Sequence, residues 1–180
     1  MTLREYLSKM KGGAKSPPRV SLSEVFWSFV GSFLGIGLVA FIHSFFVEPR
    51  GLFLVIASFG ASAVLIYGAP HSPLAQPRNL LGGHFLSALV GVLVIKLVPV
   101  YFLACALSVS LAIVVMHLTK TLHPPGGATA LFAVLGGEKI LKLGFLYPFF
   151  PVFTGAFLML IVALLVNNLA KKRKYPEYWW

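Results

Sequence analysis

The chain has 180 residues, 58% hydrophobic and 11% charged, with mean hydropathy +0.87; an ordinary soluble domain carries about 25% charged residues. A chain of this size cannot bury that apolar excess in one small globule, which excludes a soluble enzyme and predicts an all-α polytopic membrane protein in contact with the lipid bilayer. Its net charge of +10, from 15 Lys and Arg against five acids, all of them Glu, caps hydrophobic segments instead of forming a basic stripe with interleaved aromatics, so no nucleic-acid partner is expected.

Residues 1–24 form a basic N-terminal segment carrying Arg4, Lys9, Lys11, Lys15 and Arg19. Its Pro17-Pro18 pair ends any surface helix there, and Ser23 is expected to cap the first membrane helix, with Glu24 at the positive end of its dipole. The apolar run that follows is too long for the h-region of a secretory signal, so it should stay in the membrane. The membrane domain, residues 25–170, opens with a span over Val25–Val47, long enough to cross about 30 Å of hydrocarbon, and Glu48-Pro49-Arg50 closes it. Gly51–Tyr67 is apolar but short for a crossing.

The stretch from Gly68 to Asn79 holds three prolines, which forbid a regular helix. Further spans are predicted at Leu80–Val98 and Tyr101–Leu118. Thr121-Leu122-His123-Pro124-Pro125-Gly126-Gly127 then introduces a second short apolar segment, 126–136. A last span covers Pro148–Leu169, and the tail 171–180 carries Lys171, Lys172, Arg173, Lys174 and the membrane-surface pair Trp179-Trp180.

Four long spans and two short segments result. The short ones either cross, giving six spans, or re-enter, giving four; both counts place the termini on one side. Charge bias leans to six. Nine cations in the two tails, against six between residues 25 and 170 (Arg50, Arg78, Lys96, Lys120, Lys139, Lys142), put both termini in the cytoplasm by the positive-inside rule, for a multi-pass protein of the inner (plasma) membrane. Gly60-Ala61-Ser62-Ala63 is echoed by Gly127-Ala128-Thr129-Ala130. With six crossings these segments run in opposite directions, as in a 3+3 inverted repeat with broken helices; close helix packing alone also produces such small-residue clusters.

The chemistry is expected at these breaks. A helix starting near Pro125 leaves the amides of Gly127, Ala128 and Thr129 unpaired at its N-terminus, a ready anion site. Pro124, Pro125 and Gly126 set the turn, and Gly60, Ala61 and Ser62 form the matching half. His123 donates one hydrogen bond when neutral and attracts an anion when protonated. Arg78 offers a planar donor fork, beside Asn79 and His84; Arg78 reads equally as a headgroup anchor, Asn79 as a cap of the third span, and His123 as a capping residue.

With no Asp, and only Glu48 and Glu138 between the tails, no intramembrane acid is available for a proton or sodium relay. A single cysteine, Cys105, and dispersed histidines give no metal site, and no cofactor is expected. Ser62 with His123 could be drawn as a hydrolase pair, but no Gly-x-Ser-x-Gly elbow supports an enzyme.

Phe59-Gly60-Ala61-Ser62-Ala63, Pro70 through Asn79, Gly82-Gly83-His84 and Leu122-His123-Pro124-Pro125-Gly126-Gly127-Ala128-Thr129-Ala130-Leu131 together resemble the HPP family of small integral membrane proteins, over about residues 25–170. Gly127 departs from the alanine expected there. The resemblance implies four spans with re-entrant segments. Because cyanobacterial and chloroplast relatives are associated with nitrite transport, it also implies passage of nitrite or a similar small anion such as nitrate. Some members append a CBS-type regulatory domain, which these residues do not include. The alternatives are a channel for a neutral solute, a membrane sensor and, more remotely, an intramembrane enzyme. Glycine-rich helices also suit a homo-oligomer.

Overall fold

Ser21, not Ser23, starts the first long helix: its side chain accepts from the Glu24 amide (3.3 Å). In the computed structural model, which describes residues 1–180, every regular element is helical. A short helix α1 (Leu3–Ser8) precedes α2 (Leu22–Ile42), which runs on through irregular turns to Arg50. Then come α3 (Ser58–Gly68), α4 (Pro77–Leu97), α5 (Tyr101–Leu118), α6 (Pro124–Leu135), α7 (Glu138–Leu143) and α8 (Thr154–Asn167), the last entered through a kinked stretch, Pro148–Phe153. Four of these stretches are long and apolar enough to cross a membrane: Leu22–Arg50, Pro77–Leu97, Tyr101–Leu118 and Pro148–Asn167.

Contacts between distant residues fix the direction of each pass. Arg173 bonds the Glu24 carboxylate (2.8 Å), the Tyr67 carbonyl (3.0 Å) and Asn167 Oδ1 (3.0 Å). The start of α2 and the ends of α3 and α8 therefore share one end of the molecule, the terminal end. Leu54 donates its amide to His43 Nδ1 (3.3 Å) near the end of α2, so residues 54–68 travel from the far end back to the terminal end. Gln76 accepts from the Glu177 amide (2.8 Å), which places the start of α4 at the terminal end. α6 runs parallel to α4, because Gly83 meets His123 and Gly91 meets Ala130.

The chain thus passes six times between the two ends, with α3 and α6 antiparallel at the centre. Four of these passes are long and apolar enough to cross a membrane, as the resemblance implies, and the two short ones, α3 and α6, run in the opposed directions that an inverted repeat requires. The second pass is not one helix: Leu52–Ile56 have no regular secondary structure, Ala57 turns the chain, and only Ser58–Gly68 are helical.

Close approach holds the bundle together. Tyr67 is fully buried across Gly31 and Gly35 of α2, where a Cβ would overlap its ring, and Gly155 of α8 receives Phe59 in the same way. Glycines at such crossings let backbones meet where hydrocarbon offers no hydrophobic drive between helices. Large apolar side chains stay outside, among them Phe26, Phe29, Phe33, Phe41 and Phe45 of the α2 stretch, the pattern of a lipid-facing surface.

The C-terminal basic run does not hang free. The Arg173 side chain is fully buried, Tyr175 donates to the Ala75 carbonyl (2.7 Å), and Tyr178 donates to the Pro73 carbonyl (2.9 Å). Removing one partner of a buried ion pair strands the other charge. Arg173→Ala is expected to destabilise the fold by roughly 3 kcal/mol, read as a lowered unfolding midpoint in detergent, whereas Lys171→Ala on the exposed side of the tail should change little.

Candidate functional site

α3 and α6 cross at their N-terminal halves, and the polar side chains there point at one another. Ser58 and Ser62 lie four residues apart, on one face of α3. Thr129 faces them from α6, His84 reaches in from α4, and His123 stands at the start of α6, held extended before Pro124. Ser62, His84, His123 and Thr129 are all 0% exposed.

They form one connected chain of hydrogen bonds. His123 Nδ1 lies 2.8 Å from the Leu74 carbonyl, which can only accept, so this nitrogen carries a proton. His123 Nε2 is 2.9 Å from Ser62 Oγ, and the same oxygen is 2.6 Å from His84 Nε2. His84 Nδ1 is 2.7 Å from Thr129 Oγ1, which in turn donates to Ser58 Oγ (2.8 Å). Tyr147 braces the far side by donating to the Thr129 carbonyl (3.1 Å). The packing is tight: a Cβ on Gly83 would come within 2.5 Å of the His123 Cβ, and one on Gly126 within 2.7 Å of Ser87 Oγ.

The remaining residues singled out from the sequence are placed differently. Asn79 does not cap a span; α4 starts at Pro77, and the Asn79 amide donates to the Leu122 carbonyl (2.9 Å), which ties the 119–123 connection to α4. Arg78 stays outside the polar chain, its guanidinium 5.8 Å from the centre of the Tyr178 ring. Ala61, Pro124, Pro125 and Ala128 line an open groove of about 360 Å³ on the opposite face of the α3–α6 pair. Gly127 and Ala128 also border a wider one of about 470 Å³ against α5. Gly60 is exposed and its amide donates to the Ala57 carbonyl (3.1 Å).

The amides at the start of α6 are fewer than the sequence suggests. The helix begins at Pro124, so two of its first residues have no N–H, and Gly126 donates to the His123 carbonyl (2.7 Å). Ala128 and Thr129 then lie beyond the first-turn donors that a helix leaves open. The free donors sit instead ahead of α3. The backbone N–H groups of Phe53, Val55, Ile56, Ala57 and Ser58 have no partner within the chain.

Ser58 and Tyr147 were not singled out from the sequence. The spacing of Ser58 to Ser62 is the signal that could have found the first; Tyr147 lies at an interface-like turn and carries none.

The HPP transmembrane-region family model matches residues 17–176, and the chain belongs to that family. Two transmembrane proteins of Dictyostelium discoideum are similar to it, one 52% identical over 98% of this chain and 58% of its own length, the other 49% identical over 100% and 65%. The chain thus spans about three fifths of the length of these curated relatives. No solved structure matches.

The closeness of Gly83 to His123 gives a direct test of the packing. Gly83→Ala should push His123 away from Ser62 and cost about 1–3 kcal/mol by overpacking, seen as reduced thermal stability of the purified protein, while Gly37→Ala, where a Cβ meets nothing, should be neutral.

Proposed function

We propose that this HPP-family protein is a transporter or channel for a small inorganic anion, nitrite or nitrate, which passes where α3 and α6 meet. The observation that carries the reading is a donor-rich, acid-free centre. Five backbone N–H groups from Phe53 to Ser58 lack partners in the chain, they lead to the Ser58–Thr129–His84–Ser62–His123 cluster, and no carboxylate occurs between Glu48 and Glu138. Unpaired backbone inside hydrocarbon costs several kcal/mol per group and is tolerated where it lines an aqueous cavity. A line of N–H and O–H donors can replace the hydration shell of an anion, and nearby carboxylates would repel it.

In this reading Ser62, Thr129 and His123 supply donors, Gly60 and Ala61 keep the approach to α3 narrow in side-chain bulk, and Pro124, Pro125, Gly126 and Gly127 fix the start of α6. Ala128 and His84 hold the packing and the hydrogen bonds around it. Asn79 anchors the connection that carries His123, and Arg78 raises the potential at the terminal end. No carboxylate stands behind the histidines that bind Ser62, which argues against the hydrolase alternative.

The positive-inside rule supports a plasma-membrane orientation with both termini cytoplasmic. Only Arg50, Lys96, Lys139 and Lys142 of the 15 cations fall at the far end, while Arg78, Lys120 and both tails stand at the terminal end. A homo-oligomer in which a second copy covers the exposed edge of residues 53–57 would close the path laterally.

Nitrate uptake into proteoliposomes tests the reading. Losing one hydrogen bond to a charged ligand costs about 1.5–3 kcal/mol, so His123→Ala should weaken apparent affinity roughly ten- to a hundredfold. Arg78→Ala should lower the initial rate more at low than at high ionic strength, as expected for steering by a remote charge. Full uptake in both variants, or uptake of a neutral solute without any anion current, refutes the assignment.

A further inference from the structure

The hydrogen-bond chain in the centre contains five links: Leu74 carbonyl to His123, His123 to Ser62, Ser62 to His84, His84 to Thr129, and Thr129 to Ser58. Proton counting along it is informative. His123 must donate outward to the Leu74 carbonyl, and Thr129 donates outward to Ser58. Three inner links then remain, while a neutral His84 and Ser62 bring only one proton each. The chain is one proton short. It closes in two ways: an additional proton makes one imidazole a cation, or Ser58 turns its hydroxyl to donate back to Thr129 and every inner link reverses.

We propose that Ser58–Thr129–His84–Ser62–His123 is a proton-binding relay that couples passage of the anion to uptake of one proton. For its cargo the proposal rests on the transport reading above. In the uncharged form Ser58 donates to Thr129, Thr129 to His84 Nδ1, His84 Nε2–H to Ser62, and Ser62 to His123 Nε2. A proton from water reaches the Ser58 oxygen, beside the unpaired amides that precede α3.

Ser58 then passes its own proton to Thr129, and Thr129 passes its proton to His84 Nδ1. The His84 Nε2 proton moves to the Ser62 oxygen, and the Ser62 proton moves to His123 Nε2. Each hop breaks one O–H or N–H bond and forms the next. The chain ends with a His123 imidazolium and its inner links reversed, and the positive charge has moved from α3 to the start of α6 without any side chain travelling. Leu74 is half-buried on the 73–75 turn, so parting of its one bond to His123 Nδ1 opens the ring to the terminal end, where the proton leaves.

The surroundings leave the two histidines to titrate against each other. Their rings stand 5.0 Å apart, centre to centre. Tyr147, on the stretch entering α8, is the titratable side chain that touches the relay, through the Thr129 carbonyl. The other titratable groups on the packed elements are engaged elsewhere: Tyr67 of α3 with the Met159 carbonyl, His71 of the 69–76 connection with Glu177, Arg78 of α4 over Tyr178, and Lys96 of α4 over Phe145. Glu138, Lys139 and Lys142 belong to α7 at the far end, Tyr101 and Cys105 to the far-end half of α5, and His117 to the last turn of α5. Glu24 of α2, against which α3 packs, is bound to Arg173, and His43 to the Leu54 amide. α6 and α8 carry no titratable side chain of their own.

The test uses the full chain in liposomes with nitrate as probe, because nitrous acid crosses a bilayer unaided. Voltage is clamped at zero with valinomycin and symmetric potassium. An outside-acid gradient of about one pH unit should then concentrate nitrate about tenfold inside if one proton accompanies each anion, and protein-free vesicles should show no accumulation. Thr129→Val, isosteric but without the hydroxyl, should abolish accumulation and the proton entry reported by a trapped pH dye; Thr129→Ser should retain both. Wild-type protein that equilibrates nitrate without concentrating it overturns the relay and leaves anion transport standing. Proton entry with no nitrate movement overturns the coupling together with the transport reading and leaves only a proton path; neither movement removes all three.

Discussion

A backbone that leaves the helix inside a bilayer must find partners for its N–H and C=O groups, and this chain leaves it at greatest length at 52–57 and at 119–123. The two breaks are solved in different ways. At 119–123 neighbouring turns and side chains supply several partners, while the amides of Leu122 and His123 have none within the chain. Thr121 donates its amide to the Met116 carbonyl (2.9 Å), Asn79 takes the Leu122 carbonyl, and His123 binds Leu74 through its ring. At 52–57 the amides of Leu52 and Leu54 are satisfied, by the Val47 carbonyl and the His43 ring, and those of Phe53, Val55, Ile56 and Ala57 are left open. The break at 119–123 positions the histidine; the break at 52–57 carries the longer run of open amides.

The same constraint explains the composition of the centre. Two half-helices can bring their N-terminal turns together only if little side-chain bulk separates them, hence Gly60, Ala61, Gly126, Gly127 and Ala128. Once the backbones are close, any polar side chain between them is cut off from water and must be satisfied within the cluster. Ser58, Ser62, His84, His123 and Thr129 meet that demand mutually. A hydroxyl and a neutral imidazole can each donate and accept, so a chain of them has two polarities of similar energy, which a carboxylate or a lysine in the same place would remove.

The long helices were legible because an apolar run of 18 or more residues has few other readings. The small-residue echo and the His-Pro-Pro turn were legible because glycine and proline punctuate backbone geometry directly. The start of α3 was not. Gly51–Ala57 is as apolar as a helix would be, and its irregular course is tied to the end of α2 by the Val47 carbonyl and the His43 ring, contacts that hydropathy does not register. Arg173 was hidden for a related reason: a Lys-Lys-Arg-Lys run reads as a solvated tail, and its partner Glu24 lies 149 residues away. Gathering His84 with His123 and Ser62 depended on the parallel packing of α4 with α6, again a tertiary fact.

The two ends of the molecule also differ in how they are closed, and this gives it a direction. At the terminal end the C-terminal tail is clamped over the 70–76 connection through Tyr175 to Ala75, Tyr178 to Pro73 and Glu177 to both His71 and Gln76. That connection carries Leu74, the residue that fixes His123. At the far end nothing comparable covers Leu52 or Val55, which remain 42% and 39% exposed. Here the histidine sits behind a latch tied to the C-terminus and the open amides face the other way, so access to the centre from the two ends is governed by different parts of the sequence.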